Sequence, residues 1–319
     1  MSAALRIPFR FRIIRRVARS AVPVTLAMTI LLGLSACEED VVAVTGTDVP
    51  YSIYGVLSPQ LDSQWVRVFP VEERLVPATP ESLDARVVSI NHTTGEQHVW
   101  QDSVIVDFAD QYAHVYHAPF QARFGHTYEI AAIRSDGAES TVEVTVPSEA
   151  EIIPQDPVIR LVSVVQPVFI RGDVPGLVQV EVDYAVAYKV ANETDIESDR
   201  IVIPYLLRHE KTDGGWIIPV DLRRDYLEVT ANLAQQVDVG IDLRVGIILL
   251  NVTLRFIAAN EAWDPPGGIF DAEVLVQPNV MRNVRNGFGF VGAGYRLSRQ
   301  WLPPVEAIEE AGFRSPEEN

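Results

Sequence analysis

The chain of 319 residues has very little cysteine and very little lysine. Cys37 is the single cysteine, so no disulfide can form within the chain. Lys189 and Lys211 are the two lysines, and arginine supplies the remaining positive charge. A chain of this length without disulfides depends on an ordinary hydrophobic core, and an apolar content of 48% can supply one.

Positive charge is scarce in the chain as a whole. There are 26 basic and 43 acidic residues, which gives a net charge of −17 at pH 7. Six of the basic residues are arginines in the first 19 positions, so the chain beyond them has a net charge of −23. Because phosphate backbones and anionic headgroups repel such a surface, we expect no nucleic-acid partner.

Apolar runs long enough to span a membrane are also missing. The N-terminal run, residues 21–34, covers 14 positions, whereas a spanning helix needs roughly 20. Arginines precede this run, and small residues followed by acids end it, with no basic stop-transfer cluster. This order is typical of a secretory signal rather than of a single transmembrane anchor.

The end of the signal carries a more specific pattern. Leu34, Ser35, Ala36 and Cys37 together resemble the lipobox of bacterial lipoproteins. The resemblance implies that residues 1–36 are a lipoprotein signal peptide and that Cys37 becomes the lipidated N-terminus. Because each buried lipid CH₂ contributes about 0.8 kcal/mol, two or three acyl chains would hold the protein on a lipid bilayer almost permanently.

Beyond an acidic tether, residues 37–48, the hydropathy pattern changes to short runs of period two. Several such runs, separated by turn signals, lie in residues 49–147 and predict an immunoglobulin-like or transthyretin-like β-sandwich. The stretch 147–157 contains three prolines and no periodicity, so residues 148–157 are predicted to be a linker between domains.

A second β-rich domain is predicted over 158–302. Two long runs, 158–170 and 177–190, flank a glycine-rich turn and predict a hairpin. Residues 221–237 instead have apolar positions at helical spacing, which predicts one amphipathic helix packed on a sheet. The C-terminal tail, 303–319, is expected to be loosely helical or disordered. The fold class is therefore mainly β.

Motifs that carry chemistry are weak in this chain. Gly287, Gly289 and Gly292 have the spacing of a dinucleotide fingerprint, but the residues after them are typical of a strand, where glycines permit close backbone approach or form a bulge. Nucleophile-elbow and HExxH signatures are absent. We therefore expect a protein that is not an enzyme and that has no cofactor.

The histidines are the main candidates for a metal site. Five of six lie within 35 positions: His92, His98, His114, His117 and His126. His114 and His117 are three apart on a predicted strand and so point to opposite faces. His92 and His98 facing each other across a hairpin remain the best pair, but we expect surface and turn histidines and no bound metal.

Tryptophan offers two interpretations, core packing or a stacking platform for sugars. Trp65 and Trp100 alternate with apolar neighbours, which favours the core. Trp263 and Asp264 lie in a loop rich in proline and glycine, which favours exposure. We therefore expect the Trp263 loop to be a partner contact.

Three short motifs connect the chain to a known family. They are YSIYGVL at 51–57, HTYEI at 126–130 and NVRNGFGFVG at 283–292, in that order behind the lipobox. This arrangement resembles the DUF4249 family of Bacteroidetes-type surface lipoproteins over nearly the whole chain beyond the signal. The segment after the long strand departs from the family's tyrosine-rich pattern, since Glu261-Ala262-Trp263-Asp264 stands there.

The resemblance implies a location and a role. Members are similar to accessory outer-membrane lipoproteins found alongside TonB-dependent receptors, and no catalytic residues carry over. We therefore expect a lipid-anchored, non-catalytic binding module that partners such a receptor in nutrient uptake. It would lie on the cell surface, with the periplasmic face of the outer membrane as the alternative. A surface hydrolase acting on glycan polymers is the alternative function.

Overall fold

A computed structural model describes residues 49–72, 79–106, 112–191, 195–206, 208–236, 245–263 and 281–318. The predicted signal peptide, Cys37 and the predicted tether lie outside the described residues. Among the described residues, no helix has the length and the apolar content needed to cross a bilayer.

Eighteen strands and two α-helices make up the described fold. The strands of the first half are β1 Tyr51–Leu57, β2 Gln64–Pro70, β3 Arg86–Asn91, β4 Gln97–Val99, β5 Gln101–Val106, β6 Tyr112–Ala118, β7 Thr127–Ile133 and β8 Glu139–Thr145. The strands of the second half are β9 Glu151–Pro154, β10 Val158–Arg160, β11 Ser163–Arg171, β12 Gly176–Lys189, β13 Ile196–Pro204, β14 Glu210–Thr212, β15 Gly215–Asp221, β16 Ile247–Ala259, β17 Gly287–Phe288 and β18 Val291–Trp301. The helices are α1 Leu222–Gln236 and α2 Val305–Ala311. The prediction of a mainly β fold is confirmed.

The largest sheet of the described structure has nine strands. Its strand order is β13-β12-β16-β18-β1-β2-β6-β5, and β17 also pairs with β1. The half of this sheet formed by β1, β2, β6 and β5 belongs to an N-terminal sandwich, whose second sheet is β4-β3-β7-β8. Alternating residues such as Ile53, Val68 and Ile130 are fully buried in the core of the sandwich. The apolar positions of the predicted period-two pattern are therefore the positions that the sandwich buries.

The second half of the nine-stranded sheet shares a core with a five-stranded sheet and both helices. The smaller sheet has the order β10-β11-β15-β14, with β9 also paired to β11. Helix α1 buries Leu222, Val229 and Leu233, so the predicted amphipathic helix is confirmed within one residue at each end. The predicted tail contains helix α2, whose Ile308 is fully buried in the same core. The tail is thus an ordered part of the fold.

The predicted hairpin between residues 158–170 and 177–190 is wrong. Strand β11 pairs with β9, β10 and β15, whereas β12 pairs with β13 and β16 in the other sheet. The turn between them therefore crosses from one sheet to the other. Periodicity shows which face of a strand is buried, but it does not show which strand lies beside it.

Strand β18 links the two halves of the fold. Its first three residues pair in parallel with β1, and residues from Gly294 onward pair antiparallel with β16. The stretch predicted as a linker, 148–157, contains strand β9. One continuous sheet consequently runs through both regions that the sequence predicts as domains.

Candidate functional site

The outer face of the nine-stranded sheet has a groove of about 340 Å³ across β12, β16 and β18. This volume lies within the range of small-molecule sites. The groove lies opposite the sheet face that buries Val182 and Leu254, because neighbouring side chains on a strand alternate. We call it the arginine groove and define it by six of its lining residues: Gln179, Glu181, Arg255, Ile257, Arg296 and Ser298.

A β-bulge shapes one wall of the arginine groove. The pairing of β12 with β16 shifts between Val178 and Glu181, so β12 has one extra residue there. Gln179 lies within the bulge with φ of +51°, a left-handed conformation that costs a residue other than glycine about 1–2 kcal/mol. Strained residues of this kind cluster at functional sites.

Two arginines share a buried carboxylate beside the groove. The Asp183 side chain is only 2% exposed, and Arg200 Nη2 donates to its Oδ2 at 2.6 Å. Arg255 Nη2 lies 3.3 Å from the same oxygen and 3.8 Å from Glu181 Oε2. These ion pairs fix the guanidinium of Arg255 in place, which is how a binding arginine is pre-organised.

The Nε–H group of Arg255 is a hydrogen-bond donor at the wall of the groove. It is buried and has no hydrogen-bond partner among the described residues. A buried donor left unsatisfied costs about 1–3 kcal/mol, and more when the group is charged. Because the Arg255 side chain is 41% exposed overall, we expect a carboxylate in the arginine groove to contact the guanidinium, the group that its fork matches, and to satisfy this donor once the side chains that enclose it shift.

A second buried carboxylate, Asp225, has a structural role. It is fully buried at the start of helix α1, where Tyr184 Oη donates to it at 2.6 Å and Tyr205 Oη donates to the same oxygen. Arg224 Nη2 donates to its other oxygen at 2.5 Å. Burial raises the pKa of Asp225, and it also raises the pKa of both tyrosines. Because Asp225 is enclosed, it cannot act as the acid of an open catalytic cleft.

The histidines do not form the pair suggested by the sequence. His98 pairs with Ser89 on β3 rather than with His92, and its ring stacks on that of Phe120 with the ring centroids 4.1 Å apart. The expectation of surface and turn positions is also wrong for His114, which is buried and lies 3.0 Å from Asp102 Oδ2. The opposite orientation of His117 is confirmed, since His117 stacks on Trp65. The partners of His92 are instead carboxylates on β7 and β8.

The tryptophan predictions have different outcomes. Trp100 is buried and donates to Ser89 Oγ at 3.0 Å, as expected for a core residue. Trp65 is 45% exposed, so its predicted core position is wrong. Val66 and Val68 occupy the inward positions of β2, and a strand of period two then points Trp65 outward.

The loop predicted as a partner contact is only partly described. Trp263 is partly buried, with its indole packed edge-on against Phe290 and its Nε1 close over Gly292. Asp264 lies outside the described residues, as do Leu34, Ser35, Ala36 and Cys37. The partner contact and the lipidation site therefore stay predictions.

The glycine run has the packing role predicted for it. A Cβ at Gly287 would lie 2.8 Å from the Tyr51 carbonyl oxygen, and a Cβ at Gly289 would collide with the backbone of Ile53. At Gly292 it would collide with the indole of Trp263. Close approach to strand β1 at Gly287 and Gly289, and to the indole of Trp263 at Gly292, explains why glycine is needed at these positions.

Sequence reasoning missed the arginine groove. Its side chains come from positions that are up to 119 residues apart, as with Gln179 and Ser298. One signal was available, since Arg255 interrupts the apolar strand β16. An arginine in the middle of a buried strand needs a local partner, and here that partner is Asp183.

Comparisons with known proteins add little to this geometry. No protein-family model matches the chain, and no curated protein matches it. Among solved structures, the chain is similar to a "putative carbohydrate binding protein" from Bacteroides uniformis with 12% identity and a TM-score of 0.14. That match covers 79% of this chain and 100% of the other chain. At this TM-score the similarity supports no argument about function.

Proposed function

We propose that the protein is a non-catalytic binding module that is anchored to the bacterial outer membrane through lipidated Cys37. The arginine groove carries the binding part of this proposal, and the lipobox-like sequence supports the anchor. The cell surface is the location that the family resemblance favours. The ligand we propose is a small molecule that bears a carboxylate and several hydroxyl groups.

The chemistry of the groove supports this ligand class. Arg255 is held by Asp183 yet keeps a buried Nε–H that is directed at no described acceptor, and Arg296 supplies a second guanidinium on the same face. Gln179, Glu181 and Ser298 add amide, carboxylate and hydroxyl groups, which bind the hydroxyls of a polar ligand. Acidic sugars combine both features.

The hydrolase alternative gains no comparable support. Glycoside hydrolysis needs two carboxylates that flank a substrate, one of them with a raised pKa. Asp225 has a raised pKa but is enclosed in the core. Glu181 and Asp183 are both within 4 Å of the Arg255 guanidinium. Both carboxylates are thus engaged by an arginine, an arrangement that suits binding better than acid catalysis.

A TonB-dependent receptor is the protein partner that we propose, on the basis of the family resemblance. Gentle solubilisation of native membranes and capture through a C-terminal tag should recover such a receptor in near-equal amount. A Cys37→Ser variant should leave the membrane fraction and lose the receptor. Recovery of the tagged wild-type protein alone would contradict the partnership and leave the ligand proposal standing.

Titration calorimetry of the full chain in detergent tests the ligand proposal. Glucuronate and glucose form a matched pair, since they differ in the carboxylate and share the ring hydroxyls. We expect glucuronate to bind more tightly than glucose by at least about tenfold, the minimum for a charge-assisted hydrogen bond of about 1.5–3 kcal/mol.

Three variants locate the site. Arg255→Lys removes the fork and its Nε–H, and Arg296→Ala removes the second guanidinium, so both should abolish the preference for glucuronate. Arg299→Ala is the control, because Arg299 is exposed on the same strand as Arg296 and does not line the groove. Equal binding of the two sugars by the wild type, or an unchanged preference in both groove variants, would refute the ligand proposal.

A further inference from the structure

The outer face of the four-stranded sheet brings one histidine and two glutamates together. Glu129 on β7 lies directly opposite Glu143 on β8, and Glu129 is also paired with Ile90 on β3. His92 follows two residues after Ile90 and therefore points to the same face. The ligand atoms of His92, Glu129 and Glu143 all lie within 4.8 Å of one another.

The backbone holds these three side chains in register. The His92 N–H donates to the Thr127 carbonyl oxygen at 2.9 Å, which continues the β3–β7 ladder by one step beyond Asn91. Strands β7 and β8 stay paired on both sides of the glutamates, from Thr127 with Thr145 to Ile133 with Glu139. Two ligands on the adjacent strands β7 and β8 and a third in the turn directly after β3 are thus held by the same sheet.

The two negative charges of the cluster favour a bound cation. Like charges directly opposite each other on antiparallel strands are destabilising, and Glu129 and Glu143 form such a pair. The His92 Nε2 lies 3.8 Å from Glu129 Oε2, too far for a hydrogen bond but close enough for both atoms to reach one ion. A divalent cation would neutralise both carboxylates at once.

We propose that His92, Glu129 and Glu143 form a binding site for a divalent transition-metal ion, with zinc as its model ion. An imidazole ligand selects zinc over calcium or magnesium, which prefer all-oxygen sites. Zinc bonds of about 2.0–2.2 Å place two ligands on the order of 3.5 Å apart. His92 and Glu143 are exposed and Glu129 is partly exposed, so their side chains can rotate this far.

The site would leave the fourth zinc position open. Three protein ligands with one free position are the arrangement that zinc uses where a water or an external group binds. The proposal is independent of the arginine groove, which lies on another sheet and uses different residues.

Calorimetric titration of the chelator-treated full chain in detergent tests the metal proposal. We expect one equivalent of zinc to bind at this site and calcium not to compete with it. His92→Asn and Glu143→Gln should each weaken zinc binding by at least about tenfold, since even losses outside the direct ligands cost 10–100-fold. X-ray absorption at the zinc edge should show one imidazole among oxygen ligands.

The matched control is Glu139→Gln. Glu139 is exposed on the same strand as Glu143 and has the same charge, but it lies four residues away, where it pairs with Ile133 at the end of the β7–β8 ladder. It should bind zinc like the wild type. Zinc binding that is absent in the wild type, or that both site variants retain in full, would overturn the proposal, and circular dichroism would confirm that each variant is folded.

Discussion

At the scale of single residues, two buried aspartates show how a charge is kept inside this fold. Asp183 is held by two arginines at the edge of the arginine groove, whereas Asp225 receives two tyrosine hydroxyls and Arg224 within the core. Sequence position alone gave no indication of either site, because every partner except Arg224 lies 17 or more residues away. Burial of ionised groups requires such partners, and the fold alone determines where they are.

The hydroxyl of Tyr184 should stabilise the fold measurably. Tyr184→Phe removes one donor from the buried carboxylate of Asp225, and hydrogen bonds to charged groups contribute about 1.5–3 kcal/mol. We expect the free energy of unfolding in urea to fall by that amount. Tyr188→Phe is the control, because among the described residues this tyrosine on the same strand donates to the exposed carboxylate of Glu197, at 3.3 Å. Equal losses in the two variants would contradict the role given to Asp225.

At the scale of elements, periodicity predicts most strands and helix α1, but it does not predict their neighbours. The amphipathic pattern over 221–237 matches α1, and the alternation in β1, β2 and β7 matches their buried faces. Pairing depends on contacts far apart in sequence, which explains why the predicted β11–β12 hairpin is wrong. The arginine groove needs three strands, and the His92 cluster needs two strands and the turn after β3, so their residues could not be grouped from the sequence.

The glycine run that brings β17 and β18 against β1 should be intolerant of side chains. Gly289 has φ of +99°, and an added Cβ would collide with the Ile53 backbone. Gly137→Ala is a matched control, since φ there is +89° but the space around it is open. In both variants an alanine must adopt a positive φ, which destabilises the fold. Gly289→Ala should lower the free energy of unfolding by about 1–3 kcal/mol more, because its Cβ is also overpacked against strand β1.

Chemical denaturation of the two glycine variants measures this difference. The free energy of unfolding should fall further for Gly289→Ala than for Gly137→Ala. If both variants lost the same stability, the close approach between Gly289 and strand β1 would not be a determinant of the fold.

At the scale of the whole molecule, one sheet connects the regions predicted as domains. Strand β18 bonds to β1 through its first residues and to β16 through the rest, and Val284, Val291 and Ala293 complete the N-terminal core. The composition predicted two domains and a linker at 148–157 because proline-rich stretches usually separate independent units. It could not show that the chain returns to the first sheet about 140 residues later.

Because of this shared strand, we expect the two halves to unfold together. Differential scanning calorimetry of the full chain should show one transition, with a van't Hoff enthalpy close to the calorimetric enthalpy. Near-ultraviolet circular dichroism should give the same midpoint temperature of unfolding as calorimetry. Two resolved transitions would show that β18 does not couple the halves.

The central claim is that the arginine groove binds a carboxylate through the Nε–H of Arg255. The most direct measurement is the Arg Nε–H region of a nitrogen-15 correlation spectrum of the full chain in detergent, with the Arg255 signal identified by its loss in Arg255→Lys. Added glucuronate should shift that signal, and the same concentration of glucose should leave it in place. An Arg255 signal that stays unmoved while glucuronate binds would contradict the claim and place the ligand elsewhere.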